Sequence, residues 1–217
     1  MNKKIKIIII DILIFIGFFV ILTLSSILIN KYISKDIITI ETISYFIILL
    51  YFLLLYHQDF KSFFTDLKKN YKKYFPKYII YGLISIFIMN ILASIIASII
   101  GNLPTNELKV RSTLVNKSFF ILIINIGILI PFCEEILFRH VFKNIFNNKY
   151  LYAISMGLLF GSAHLLSSTS AIEYLYIIPY GFMGFVLSYI YYDSDNLLNS
   201  IIVHMLNNLL TLLLMVV

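Results

Sequence analysis

Long apolar stretches, separated by short polar breaks, occupy most of this sequence. A stretch of about 20 apolar residues is long enough to cross the roughly 30 Å hydrocarbon core of a bilayer as a helix. The sequence therefore predicts an all-α, polytopic membrane helix bundle of about seven transmembrane helices. The predicted spans cover residues 7–29, 37–56, 78–100, 119–138, 150–166, 172–192 and 197–217.

The composition excludes an ordinary soluble domain. Hydrophobic residues make up 60% of the 217 residues and charged residues 13%, with a mean hydropathy of +0.94. Soluble domains have about 45–50% apolar and about 25% charged residues. The net charge of +6 is placed between apolar spans, where basic residues report membrane orientation, so we predict no nucleic-acid partner. A single cysteine, Cys133, excludes an internal disulfide and a Cys-based zinc framework.

The distribution of Lys and Arg predicts the orientation in the cell membrane, because positively charged loops stay in the cytoplasm. With the N-terminus inside, twelve of the seventeen basic residues fall on the inner side. We therefore predict a cytoplasmic N-terminus and an outside C-terminus. The first span is longer than the apolar core of a signal peptide and no small-residue cleavage site follows it, so it is expected to remain as an anchor.

The chain is predicted to form a single integral membrane domain, residues 1–217. Its N-terminal part, residues 1–118, has three spans and a basic cytoplasmic segment at 57–77, which is either a loop or a helix lying on anionic headgroups. The polar break 101–118 separates this part from the predicted catalytic core, residues 119–217. Most polar residues that stand within spans belong to that core.

A charged side chain at the centre of a bilayer costs about 2.5 to 3.5 kcal/mol on insertion scales, so ionisable residues inside spans point to function. Several stand near span ends and are interpreted as structural or solvated; these are Asp11, Glu41, His57, His140, Glu173, Asp193 and Asp195. Four ionisable residues, Glu134, Glu135, His164 and His204, and the polar Asn208 do not fit that interpretation.

Helical geometry distinguishes the two adjacent carboxylates. At about 100° per residue, Glu135 and Arg139 are only about 40° apart around the axis, which suits an i,i+4 ion pair. Glu134 projects about 140° from Arg139 and has no counter-charge on its own helix. Because burial makes an unpaired carboxylate hold its proton more tightly, Glu134 is the predicted general base or acid.

The remaining polar residues lie on two later spans. His204 and Asn208 are four residues apart and can donate hydrogen bonds to a developing oxyanion. For this pair alone, helix-to-helix hydrogen bonds are the favoured interpretation. His164 shares a helix face with Gly157, where small residues permit close packing, and Phe160 can pack beneath its ring.

The predicted depths of these residues agree only in part. Glu134 lies about 22 Å from the outer face and His204 about 10 Å from the inner face, which is consistent for a 30 Å core. His164 lies about 21 Å from the inner face when counted from Tyr150. It reaches the same level only if its helix begins in the cytoplasm or is strongly tilted.

Three runs of this sequence resemble the motifs of CPBP intramembrane proteases, which include the CAAX prenyl endopeptidase Rce-type enzymes and bacterial Abi proteins. Glu134–Arg139 resembles EExxxR, Phe160–His164 resembles FxxxH, and His204–Asn208 resembles HxxxN. The motifs occur in the family's order, and the resemblance covers residues 119–217.

The resemblance implies that Glu134 and His164 activate water and that His204 and Asn208 bind the oxyanion, while Glu135, Arg139 and Phe160 support the motifs. A metal-free glutamate mechanism is favoured, so no cofactor is predicted. The minority alternative is a zinc site formed by Glu134, His164, His204 and Asn208, although the sequence contains no HExxH helix.

The leading hypothesis is an intramembrane endopeptidase acting on membrane-associated peptides or proteins, in peptide processing or bacteriocin self-immunity. The alternative is a non-enzymatic membrane immunity or regulatory protein that binds a partner through its helix bundle. An ion-coupled transporter would use similar residues, but the sequence shows no inverted repeat.

Overall fold

The computed structural model describes residues 3–216, a range that contains eight helices and no β-strand. The fourth long helix, α5 (Phe119–Ile145), is irregular and includes π-helical and 3₁₀ turns. The helices are α1 (Lys3–Tyr32), α2 (Ile37–Leu55), α3 (His57–Ile100), α4 (Thr105–Asn116), α5 (Phe119–Ile145), α6 (Lys149–His164), α7 (Ile177–Ser194) and α8 (Leu197–Val216).

Six helical segments within residues 3–216 are long and apolar enough to cross a membrane. They are α1, α2, α3, α5, α8 and the segment Ala171–Ser194, which contains α7. The predicted polytopic helix bundle is thus confirmed. The fifth predicted span corresponds to α6, whose 16 residues extend only about 24 Å, less than the roughly 30 Å of a hydrocarbon core. The orientation of the termini stays a prediction.

Helix α3 is much longer than the predicted third span. Its 44 residues extend about 66 Å, whereas a bilayer with its headgroups is about 40–45 Å thick. The basic segment 57–77, for which we also considered a loop, is helical and continuous with the span, and Pro76 lies inside the helix. Phe60 and Phe63 are buried on the face of this segment that packs against the bundle. Their burial favours a helix over a loop.

Residues 101–118, predicted as a polar break, contain the short helix α4. The Glu173 carboxylate accepts hydrogen bonds from the backbone N–H and the hydroxyl of Thr105, both at 3.0 Å, at the start of α4. It also accepts two from Thr169. Just beyond α4, Lys117 forms an ion pair with Asp36. This contact, together with hydrogen bonds from Thr39, lowers the pKa of Asp36.

Helices α6 and α7 pack backbone against backbone. A Cβ atom added to Gly157 would lie 2.7 Å from the carbonyl oxygen of Gly181, and one added to Gly161 would lie 2.9 Å from its nitrogen. Such close approach of helices through small residues is typical of membrane proteins. The small-residue surface predicted from the Gly157 and Gly161 spacing therefore faces α7.

The start of α8 is attached to α3 by a buried amide. The Asn196 side chain accepts a hydrogen bond from the Leu198 backbone N–H and donates at 2.8 Å to both the Phe63 carbonyl and the Asp66 carboxylate. Before it, Asp195 adopts a left-handed conformation, with φ of 54°. This connection reverses the chain sharply and fixes the position from which α8 begins.

Candidate active site

Helix α5 departs from regular α-helical geometry around the two adjacent glutamates. Two stretches of wider π-helical turns, Ile123–Leu129 and Ile136–His140, flank the α-helical segment Ile130–Glu135. Such turns are rare and are found frequently at functional sites. The carboxylates thus lie at the end of a short regular segment, directly before a π turn.

Glu135 and Arg139 form a fully buried ion pair across that π turn. Their side chains are 0% exposed and their charged atoms are 3.0 Å apart. The guanidinium of Arg139 lies 4.3 Å from the ring centroid of Phe160 on α6, a favourable cation–π distance. The Tyr152 hydroxyl donates to the Arg139 carbonyl at 2.9 Å. Arg139 therefore connects the EExxxR run of α5 with α6.

His204 of α8 lies between the two glutamates. Its Nδ1 is 2.8 Å from Oε1 of Glu135, and its Nε2 is 3.7 Å from Oε2 of Glu134. Since an ionised carboxylate only accepts hydrogen bonds, the contact with Glu135 places a hydrogen on Nδ1. Glu135 thus orients the ring so that Nε2 faces Glu134, the carboxylate that has no ion-pair partner on its own helix.

His164 lies at the end of α6 and its ring folds back along the helix. Nδ1 is 3.0 Å from the Phe160 carbonyl oxygen, so Nδ1 donates and the neutral ring has its lone pair on Nε2. The Phe160 ring contacts both His164 and His204, with centroids 4.3 and 5.5 Å away. Helical side chains project towards the N-terminus of their helix. The His164 ring therefore lies nearer the start of α6 than its backbone does, which reduces the difference in depth predicted for His164.

The Asn208 amide is held on two sides. It donates to the carbonyl of Ile126, in the first π stretch of α5, at 2.9 Å, and its oxygen accepts from the neighbouring Asn207 at 3.0 Å. An amide NH₂ has two hydrogens, so one N–H of Asn208 is available to a further acceptor. His204 and Asn208 therefore contact α5 one after the other along α8.

A cavity of about 530 Å³ opens onto these groups from the bundle. Its walls include His164, His204, Asn207 and Asn208, together with apolar side chains of α3, α7 and α8 and part of α4. Among the described residues, Glu134 is not part of the wall, but its side chain is 16% exposed and contacts His204. The motif residues of three helices thus converge beside one cavity.

The predicted minority zinc site requires at least three donor side chains around one point. Residues 3–216 contain no group of three His, Cys, Asp or Glu side chains placed to hold a metal ion. Glu134, His164 and His204, three of the four predicted donors, form no such group, and the amide of Asn208 is held by Ile126 and Asn207. The absence of zinc stays a prediction, and we derive no step through a metal.

Several of the other ionisable residues interpreted as structural have partners within the bundle, whereas Asp11 is buried and its Oδ2 has no hydrogen-bond partner in the described part of the chain. Asp193 pairs with Lys77 and Lys149. The ring of His140 contacts the Tyr191 hydroxyl at 2.7 Å. Glu173 precedes α7 in a 3₁₀ turn rather than opening the helix.

Two cavity residues, Asn90 on α3 and Asn207 on α8, were missed by the sequence analysis. Asn90 is an amide inside an apolar run of the third span, and polar residues at such positions are a signal of function. Asn207 directly precedes Asn208, and only Asn208 belongs to the HxxxN motif.

Fold and site together define a polytopic helical membrane protein in which two carboxylates, two imidazoles and an amide from three helices meet beside a cavity. Residues 116–210 match the family described as type II CAAX prenyl endopeptidase Rce1-like. The matched segment is less than half of the chain, and it contains all three motifs. The family predicted from those motifs is thus confirmed for this segment.

A curated relative matches over a similar extent. It is the UPF0177 protein YxdF of Lactococcus lactis subsp. lactis (strain IL1403), which is 35% identical over 85 residues. The match covers 39% of this chain and 44% of that protein, so the chain spans less than half the length of this relative. No solved structure matches.

Proposed function

We propose that this protein is an intramembrane endopeptidase that hydrolyses peptide bonds of membrane-associated peptides or proteins, with Glu134 as the general base. The observation that carries the proposal is the contact of Glu134 with His204, which itself lines the cavity. Three helices contribute to this arrangement, which packing alone does not require. The match of residues 116–210 to an endopeptidase family supports the same activity.

In the proposed reaction, Glu134 takes a proton from a water molecule that attacks the peptide carbonyl. The Nε2 lone pair of His164 accepts the other hydrogen of that water and orients it. As the carbonyl carbon becomes tetrahedral, its oxygen becomes negative. Glu134 then passes its proton to the departing amine, so the carboxylate acts first as base and then as acid.

The oxyanion is bound by His204 and Asn208 in this proposal. Asn208 supplies the N–H that does not bond to Ile126. His204 donates from Nε2 when its ring is protonated, because Nδ1 is held by Glu135. Donors fixed in advance at the position of the developing charge are among the most effective elements of catalysis.

Glu135, Arg139 and Phe160 act as positioning residues. The Glu135–Arg139 pair sets the orientation of His204 from one side, and Phe160 packs against both imidazoles and the guanidinium. The apolar walls of the cavity suit a hydrophobic peptide segment. We propose peptide processing or self-immunity to bacteriocins as the physiological role.

The test compares two partly buried glutamates. Purified wild-type protein, Glu134→Gln and Glu41→Gln are reconstituted in lipid vesicles and incubated with a quenched fluorescent peptide library. Glu134→Gln keeps the shape and hydrogen bonding of the side chain but removes the base, so cleavage should fall by about 10²- to 10⁴-fold. Glu41 is a matched control, since it also stands in a span and its contact is with Asn125 on α5.

Retained cleavage by Glu134→Gln contradicts its assignment as base. Absence of cleavage by the wild type, with protection from a bacteriocin intact in both variants, favours the non-enzymatic immunity protein instead. A strong chelator is expected to leave wild-type cleavage unchanged. Activity that is lost with the chelator and restored by zinc refutes the metal-free mechanism.

A further inference from the structure

Asn90 is a polar residue without a structural role in the bundle. It lies on α3 within an apolar run, its side chain is exposed, and it lines the cavity. Within residues 3–216 the Asn90 amide has no hydrogen-bond partner, whereas the amides of Asn196 and Asn208 do. A polar side chain that faces a cavity from within an apolar span marks a candidate functional position.

A second amide in the same cavity has an unused acceptor. Asn207 is 8% exposed, and its nitrogen donates to Asn208. Its oxygen Oδ1 is buried and has no hydrogen-bond partner in the described part of the chain. Leaving a buried polar atom unpaired costs free energy, so Oδ1 is suited to accept a hydrogen bond from a molecule in the cavity.

Both amides line the same cavity as His204 and stand beyond it along the direction in which their own helices run. Helices α3 and α8 touch where an added Cβ on Gly82 would lie 2.7 Å from Val203, and from there both continue in the same direction. Along its own helix, Asn207 is about 6 Å beyond that contact and Asn90 is about 12 Å beyond it. His204 is directly next to the contact.

These spacings match an extended peptide. A strand rises about 3.3 Å per residue, so a peptide whose reacting carbonyl lies at His204 reaches Asn90 about three residues later. Its backbone N–H and C=O groups need partners in a cavity with mostly apolar walls. An asparagine amide can both donate and accept, so it can pair with a strand backbone whatever the side chains are.

We propose that the cavity holds the substrate as an extended strand running from His204 towards α4, and that Asn207 and Asn90 bind its backbone. Asn90 acts on the part of the substrate about three residues from the cleaved bond. The inference rests on the proposed peptidase function and adds how the substrate is recognised. It predicts broad sequence tolerance at these positions, together with a requirement for chain length on one side of the cleaved bond.

The test measures binding and cleavage of a dye-labelled Ala/Leu-rich peptide that is shortened one residue at a time from either end. Binding is measured by fluorescence polarisation on Glu134→Gln, with and without Asn90→Leu, and cleavage on the wild type and on Asn90→Leu alone. For long peptides, Asn90→Leu should weaken binding and raise KM about three- to tenfold with kcat unchanged. The effect should vanish once truncation from one end removes the residue at Asn90.

Two variants control for structure. Asn90→Gln keeps an amide and should recover part of the affinity. Ser98→Leu introduces the same apolar side chain on an exposed position of α3 and should bind as the parent does. Among the described residues, the Ser98 hydroxyl bonds only to the Ile95 carbonyl.

Failure of the inference and failure of the proposed function give different results. Cleavage that Asn90→Leu does not affect at any peptide length overturns the inference and leaves the peptidase intact. An effect of Asn90→Leu that is equal at every peptide length also overturns the inference, because such an effect would come from a change in the protein structure and not from a lost contact with the substrate. A length-dependent loss of binding without any cleavage by the wild type supports the strand site and refutes the peptidase.

Discussion

The buried ion pair of Glu135 and Arg139 allows a quantitative prediction. Oε1 of Glu135 is held by Arg139 at 3.0 Å and by His204 at 2.8 Å, and both members of the pair are 0% exposed. Arg139→Leu removes the charge and leaves an uncompensated carboxylate in the core. Breaking a buried pair in this way costs about 3–5 kcal/mol.

An exposed pair with the same spacing provides the control. Arg111 and Glu107 on α4 are also four residues apart, with charged atoms 2.7 Å from each other and side chains 46% and 24% exposed. Arg111→Leu should lower the free energy of unfolding by less than about 1 kcal/mol, because solvent screens exposed pairs. The two pairs have the same spacing and differ in burial, and Arg139 in addition contacts the Phe160 ring.

The assay is equilibrium unfolding in detergent micelles, followed by circular dichroism, for the two single variants. The double variant Glu135→Leu/Arg139→Leu is included because it removes both charges. It should recover part of the stability that Arg139→Leu loses, although His204 then lacks its partner. The reasoning is refuted if Arg139→Leu is no more damaging than Arg111→Leu, or if the double variant is no more stable than Arg139→Leu.

Two further predictions concern the helices around the cavity. Gly157→Ala should destabilise the protein by about 1–3 kcal/mol, because the new Cβ meets the backbone of α7 at 2.7 Å. Gly17→Ala should cost less in the same unfolding assay, because its Cβ would meet the Tyr51 side chain at 3.2 Å and no backbone. Equal losses of stability in the two variants contradict the packing argument. Glu173→Gln should speed amide hydrogen exchange in α4 about tenfold, because charged acceptors make stronger hydrogen bonds; exchange that remains at the wild-type rate refutes the role of this carboxylate in attaching α4.

Composition and local patterns are sufficient for the fold class and for the family resemblance of the C-terminal part of the chain. Long apolar stretches leave few alternatives to a helical membrane bundle, and the three motifs identified the family of residues 116–210. Helical periodicity was also sufficient to place Glu135 and Arg139 on one face, because that relation is local to four residues.

Features that depend on contacts between distant parts of the chain were decided only by the tertiary structure. The placement of His204 between Glu134 and Glu135 joins residues about 70 positions apart, and no periodicity reports such a contact. The helical state of residues 57–77 depends on burial against other helices. The role proposed for Asn90 likewise depends on a cavity that exists only once α3, α7 and α8 have packed together.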